Sequence, residues 1–351
     1  MLFKLRMNPP VIGILLLTGS WSAVPAACAT SCTTQSQMTP AERDVFAQTA
    51  RAILTDVQSG NLENIRELAL PSVAADFNGL SDSMAHLRPI VETATITVDD
   101  LYLLNAEGNP PGQAQTSFYC GSPLVVWSFP SMPAGTYAVA IVHATGVEHP
   151  QQITIILSKS ADNRWLIAGM FDRPMTAAGH DGIWYWESAR KYAQTKMDWD
   201  AWFYYRLATN LLDPVEALSS PNLTKLQQEA GQVHPPELPG GTPMTFYSGG
   251  QLITLTAIDT TTALGALDLD VHYRPDAAEA AQLQDPAAAR KQVTEVMASL
   301  LQMHPELEKA FHGIWVHADQ GTASLFALEL PMNQIAVGTP QVSIFPNQNS
   351  H

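Results

Sequence analysis

Positive charge is what this chain has least of: 18 Lys and Arg stand against 33 Asp and Glu, a formal charge of −15 over 351 residues. With no basic stripe to neutralise phosphates, nucleic acid is not expected as a partner. Cysteine is scarce too, three in all, too few for a disulfide-built scaffold. No phosphate-cradling glycine loop, nucleophile elbow, paired Cys-x-x-Cys or His-Glu-x-x-His occurs, so the common cofactors have no foothold and none is expected. The apolar run Val11 to Leu17 is too short to cross a bilayer, so no transmembrane span is expected once the leader is removed. What the chain does have is 46% hydrophobic and 15% charged residues, the balance of a folding protein with more than one core.

The short apolar run has its own meaning. Lys4 and Arg6 precede it and small residues lead from it to Ala29, the layout of a secretory signal over residues 1–29. Cleavage after Ala26 or Ala29 fits this layout, and the later cut leaves Cys32 and Cys120 in an oxidising compartment. Such a pair either forms a disulfide or stays buried and unreactive, and both alternatives stand at this point. Ala-Ala-Cys28 and Thr-Ser-Cys32 each put small residues before a cysteine, so a lipid anchor competes with simple cleavage. Against it, Pro25 stands where an aliphatic residue is usual, and Cys32 lies far beyond the apolar run.

Thr39-Pro40, Asp213-Pro214, Ser220-Pro221 and Asp285-Pro286 each set a capping side chain before a proline, whose missing N–H costs nothing at a first helical position. The first adds Glu42, a capping box, then Val45, Thr49, Ile53 and Val57 at four-residue spacing and a stop at Gly60. From Thr93 the pattern predicts strands: Thr93 to Leu104, Thr116 to Cys120, Leu124 to Phe129, Thr136 to Thr145, Gln152 to Ser158 and Arg164 to Phe171. Helices followed by mostly antiparallel strands predict an α+β domain over 39–174, a helix-capped curved antiparallel sheet. Residues 176–232, rich in Trp and Tyr, predict a short all-helical connector with caps at Asp181 and Asp198. A Pro/Gly linker at 233–243 separates it from a second small α+β domain at 244–331, of order β-β-β-α-β-β, and a polar tail occupies 332–351.

The opening helix, the phrase Ser59-Gly60-Asn61-Leu62 and the closing strand Arg164-Trp165-Leu166-Ile167-Ala168-Gly169 resemble the nuclear transport factor 2-like (cystatin-like) superfamily. Tyr185, Ala189, Tyr192, Ala201, Tyr205, Ala208 and Pro214 resemble one tetratricopeptide repeat with no second copy. As a whole, the mature chain resembles secreted proteins of Gram-negative bacteria, which implies a compartment and no reaction.

Three constellations stand out. Trp186, Arg190 and Gln194 fall four apart on one helical stripe, which the repeat resemblance places on a peptide-binding side; the competing expectation is that Trp186 packs on a neighbour with Arg190 stacked over it. Strand alternation puts His143 with Tyr137, Val139 and Ile141, and Asp100 and Tyr102 with Ile96 and Val98. Inside a cone of the kind the superfamily resemblance implies, that trio is the alternative catalytic set of a hydrolase or isomerase. Asp268, Asp270 and His272 alternate on one strand and, with His312, His317 and Asp319, could hold a divalent ion, although an acidic strand face ordinarily meets water and no metal is expected. The leading expectation is a non-catalytic secreted or envelope protein that binds a protein, peptide or small apolar ligand.

Overall fold

The structure, a computed structural model, describes residues 30–121 and 124–335; the leader, Cys28 and most of the polar tail lie outside these residues. It is an α+β protein whose two larger sheets are each five-stranded. The first element is one the sequence patterns do not announce, strand β1 (Ser31–Thr34). Helix α1 (Pro40–Ser59) then starts on the Thr39–Glu42 capping box and stops at Gly60, whose φ of 72° is the left-handed region glycine tolerates. Its buried stripe is Phe46, Ala50, Ile53, Leu54 and Val57. Val45, expected in that stripe, is exposed, because the strict four-residue spacing drifts around a helix of 3.6 residues per turn. Short helices α2 (Leu62–Leu68) and α3 (Pro71–Ala75) and the longer α4 (Asn78–Val91) follow.

Strands β2 (Thr95–Asn105), β3 (Gln115–Cys120), β4 (Val125–Pro130), β5 (Thr136–Thr145), β6 (Gln151–Lys159) and β7 (Trp165–Pro174) complete the N-terminal body. The main sheet has the order β1-β2-β5-β6-β7, antiparallel throughout. Alternation along β5 sorts its two faces: Ala138, Ala140, Val142 and Ala144 pack beneath the helices with Ile53, Leu54 and Leu87, while Tyr137, Val139 and Ile141 pack against Phe118, Trp127 and Phe129 of β3 and β4. Helices, sheet and small sheet thus form three layers. The Cys32–Cys120 disulfide ties β1 of the middle layer to β3 of the small one, which removes Cys32 as a lipid-carrying residue.

Two-residue strands β8 (Thr176–Ala177) and β9 (His180–Asp181) lead into helices α5 (Gly182–Gln194) and α6 (Asp198–Leu212). Asp181 caps α5 by accepting from Trp184 N at 2.8 Å, but Asp198 is the first residue of α6 and Met197 stands at its cap. Asp213-Pro214 starts no helix. Asp213 closes α6, its carboxylate accepts from Val215 N, and the chain runs on into strand β10 (Leu218–Ser219), which pairs with β4. Helix α7 (Pro221–Gln232) begins on the Ser220 cap.

The C-terminal body comprises strands β11 (Met244–Ser248), β12 (Gln251–Thr261) and β13 (Asp268–Tyr273), helices α8 (Ala277–Gln282), α9 (Pro286–Met303) and α10 (Leu307–Ala310), and strands β14 (Gly313–Gln320) and β15 (Ala323–Pro331). Strands β13 and β14 pair in parallel, which the long helical connection between them makes possible, and every other pairing in this sheet is antiparallel. Its inner face packs on Val293, Val296, Met297 and Leu300 of α9, in one apolar cluster that also takes in Tyr185, Phe203 and Tyr204 of the connector. That cluster runs across the Pro/Gly stretch, which is itself pinned: Trp199 donates to Glu237 at 2.7 Å, and His234 packs edge-on against Trp202 at 4.4 Å. Among the described residues no helix is long and apolar enough to cross a membrane.

Candidate functional site

The trio Asp100, Tyr102 and His143 is brought together only in part. A bulge between Val98 and Asp100 puts one extra residue into β2 and reverses its alternation, so Ile96 and Val98 face the helices while Tyr102 faces the small sheet. Tyr102 is buried edge-on against Trp127 at 5.4 Å, and its phenol is pushed up to about 12 by burial, with Asp100 and Asp99 adding to the shift. Partial desolvation, and then Asp99, raises the Asp100 carboxyl, with His143 pulling weakly the other way. Asp100 and Tyr102 line an open depression of about 620 Å³ beside Arg43, Thr34 and Cys120. His143 is not part of that lining; it keeps to the small-sheet face, as alternation predicts, and its Nε2 lies 3.2 Å from Gln152 Oε1.

The stripe of α5 is a joint. Trp186 is only 9% exposed, and its indole N–H donates to Glu229 of α7 at 2.7 Å. Arg190 lies over the Trp186 ring at 4.4 Å and forms a two-pronged ion pair with the same carboxylate at 2.8 and 2.9 Å. With two of its three residues engaged this way, the stripe is not an open peptide groove; only Gln194 is exposed. Glu229, the residue that organises the joint, carries no local signal in the sequence, because its partners lie about forty positions away.

The outer face of the C-terminal sheet gathers the remaining titratable groups. On β13, Leu269, Val271 and Tyr273 point into the core, which turns Asp268, Asp270 and His272 outward. The parallel register sets His272 directly beside His317 of β14, and their rings stack at 4.6 Å. Trp315 lies 4.8 Å along the same strand from His317 and walls one side. Asp270 Oδ1 sits 3.2 Å from His317 Nε2 and 3.4 Å from His272 Nε2, yet accepts a hydrogen bond from neither. The other nitrogen of His272, Nδ1, is held by Asp319 Oδ2 at 2.6 Å. Burial keeps the His317 imidazole below its usual range, outweighing the pull of Asp270. Across the sheet Asp259 pairs with Asp270 and is neutralised by Arg206 of α6 at 2.7 Å, so its charge is already answered. Farther along β13, Asp268 meets His312 at 3.0 Å.

Asp270, His272 and His317 bring one ligand atom each to within 4.8 Å of one another. Two imidazoles and a carboxylate suit a borderline divalent ion such as zinc, and Asp319 then occupies the place of the carboxylate that orients a ligating histidine from behind. Alternation makes two of the three, Asp270 and His272, legible as sharing a face; the pairing of His272 with His317 comes from strand order. No family model, curated protein or solved structure matches this chain.

Proposed function

We propose that the protein is a secreted, non-catalytic binding protein of the envelope whose C-terminal sheet takes up a divalent transition-metal ion through Asp270, His272 and His317. One observation carries this reading. An ionised carboxylate only accepts, so Asp319 takes its hydrogen bond from Nδ1, and in the neutral imidazole Nε2 of His272 is then a lone pair. That lone pair faces Asp270 Oδ1 at 3.4 Å, acceptor against acceptor, an arrangement that a cation between them turns from repulsive to attractive. The basic head and the Cys32–Cys120 disulfide support an oxidising compartment. The test is equilibrium dialysis of the metal-stripped chain against Zn²⁺. A His272→Ala, His317→Ala double variant is expected to lose one bound equivalent while keeping its circular dichroism spectrum, and unchanged zinc uptake by that variant sinks the reading.

A protein, peptide or small apolar ligand keeps one foothold, an open depression of about 590 Å³ lined by Phe129, Ile156, Met170, Phe171 and Val215. Phe171 is 44% exposed there, so Phe171→Asp is expected to abolish uptake of an apolar fluorescent probe and leave zinc binding intact.

A further inference from the structure

We infer that a second divalent-cation site lies on the same sheet face, formed by Asp268, His312 and Glu329. Their ligand atoms also lie within 4.8 Å of one another, and they share no residue with the first group. Asp268 occupies an outward position of β13, yet its side chain is 1% exposed. One of its oxygens meets His312 Nδ1 at 3.0 Å, and the other, Oδ2, has no hydrogen-bond partner. Glu329 arrives from β15, opposite Trp315, and its Oε1 is buried without a partner as well. Gly313 lies beneath both carboxylates: a Cβ there would stand 2.6 Å from Glu329 Oε1 and 3.0 Å from Asp268 Oδ1, so any larger residue would occupy the space into which these oxygens point.

Two carboxylates brought this close, Asp268 fully buried and Glu329 half-buried, repel one another, and the unpaired buried charge of Asp268 is costly. Among the described residues neither forms an ion pair with Lys or Arg; Asp268 has only the His312 imidazole. A dication answers both charges at once, which a single imidazolium does not. The His312 ring is 53% exposed and gives the ion a way in from solvent. Two carboxylate oxygens and one nitrogen suit zinc or manganese; calcium, which prefers six to eight oxygens, is disfavoured. Asp268 and Asp270 are alternate residues of one strand, so the two ions would sit roughly 7 Å apart along β13.

This site does not rest on the reading of the first one, and a count of bound ions separates them. The full chain, stripped with a chelator and titrated with Zn²⁺ by calorimetry, is expected to bind two ions. Glu329→Gln, which keeps the side chain's shape, and His312→Ala, at a half-exposed position, are each expected to remove one ion. The His272→Ala, His317→Ala variant should keep the ion that these two lose. The inference is overturned if both Glu329→Gln and His312→Ala bind as many ions as the parent, or if the His272/His317 variant binds none. A parent chain that binds no zinc, with the two carboxylates sharing a proton instead, overturns it equally. If Glu329→Gln abolishes all binding and the His272/His317 variant loses nothing, the second site stands and the first falls. Circular dichroism of each variant shows whether a lost ion reflects a lost ligand or a lost fold.

Discussion

The two five-stranded sheets of this protein treat their second faces in opposite ways. Each lays one face against helices. The N-terminal sheet covers the other with β3, β4 and β10, burying Tyr102, Val139 and Ile141 against Trp127 and Phe118. The C-terminal sheet leaves its other face without a covering layer: Asp270, His272, His317 and Asp319 stay half-buried there, and Asp268 alone is withdrawn from solvent. The contrast follows from the outward-pointing residues: apolar side chains on β5 gain from a covering layer, whereas a row of carboxylates and imidazoles would forfeit its hydration beneath one. A covered face serves stability and an uncovered polar one is available to ligands.

The largest expected effect tests the covered side. The disulfide closes a loop with a sequence separation of 88, so Cys32→Ser, Cys120→Ser should lose roughly 4–5 kcal/mol in urea unfolding, and zinc binding should survive in the folded fraction. A similar loss at the C-terminal ligands and none at the disulfide would reverse the assignment of roles.

Next comes the joint inside the connector, between α5 and α7. Trp186→Ala should cost ~3–5 kcal/mol, since the site is packed and Glu229 loses a donor. Trp184→Ala should shift stability by no more than about 0.5 kcal/mol, because Trp184 is 39% exposed and lies on His180 at the surface. Equal effects from the two substitutions would contradict the joint.

The third effect is pH-dependent and belongs to the connector. Asp200 is fully buried without a hydrogen-bond partner, and desolvation, with Glu306 adding to it, pushes its carboxyl up to about 7. A folded value above the unfolded one means the fold binds this proton more tightly. Its contribution is therefore whole below about pH 4 and is lost as pH rises through about 7. Between those limits unfolding free energy should fall by roughly 3–4 kcal/mol, and Asp200→Asn should flatten the slope in urea titrations at several pH values.

The smallest effect tests the open face. Zinc at about a hundred times its dissociation constant should raise the unfolding free energy by about 2.7 kcal/mol per site, and should do nothing for the His272→Ala, His317→Ala, Glu329→Gln variant. Stabilisation of that triple variant would place the ion elsewhere.

Helix α1, strand β5 and helix α9 can be read from the chain because their signals are local: a capping box and Gly60, a turn on either side of Thr136 to Thr145, and Asp285-Pro286 before an apolar stripe. Alternation likewise determined that Asp268, Asp270 and His272 share a face. Where a residue's role depends on something distant, the sequence was silent or pointed the wrong way. The extra residue at Asp99 reversed the facing of Asp100 and Tyr102, and nothing in the residues themselves marks a bulge. For Trp186 one of the two expectations held, a packed ring with Arg190 over it, but Glu229, which folds back onto both from α7, could not be read from the chain. Strand order and register decided the rest: only the parallel pairing of β13 with β14 sets His272 beside His317, and only the turn back into β15 delivers Glu329 above Gly313. Local chemistry sets which side of its own strand a residue occupies, but its neighbours across the sheet are fixed by how the whole chain buries its apolar faces.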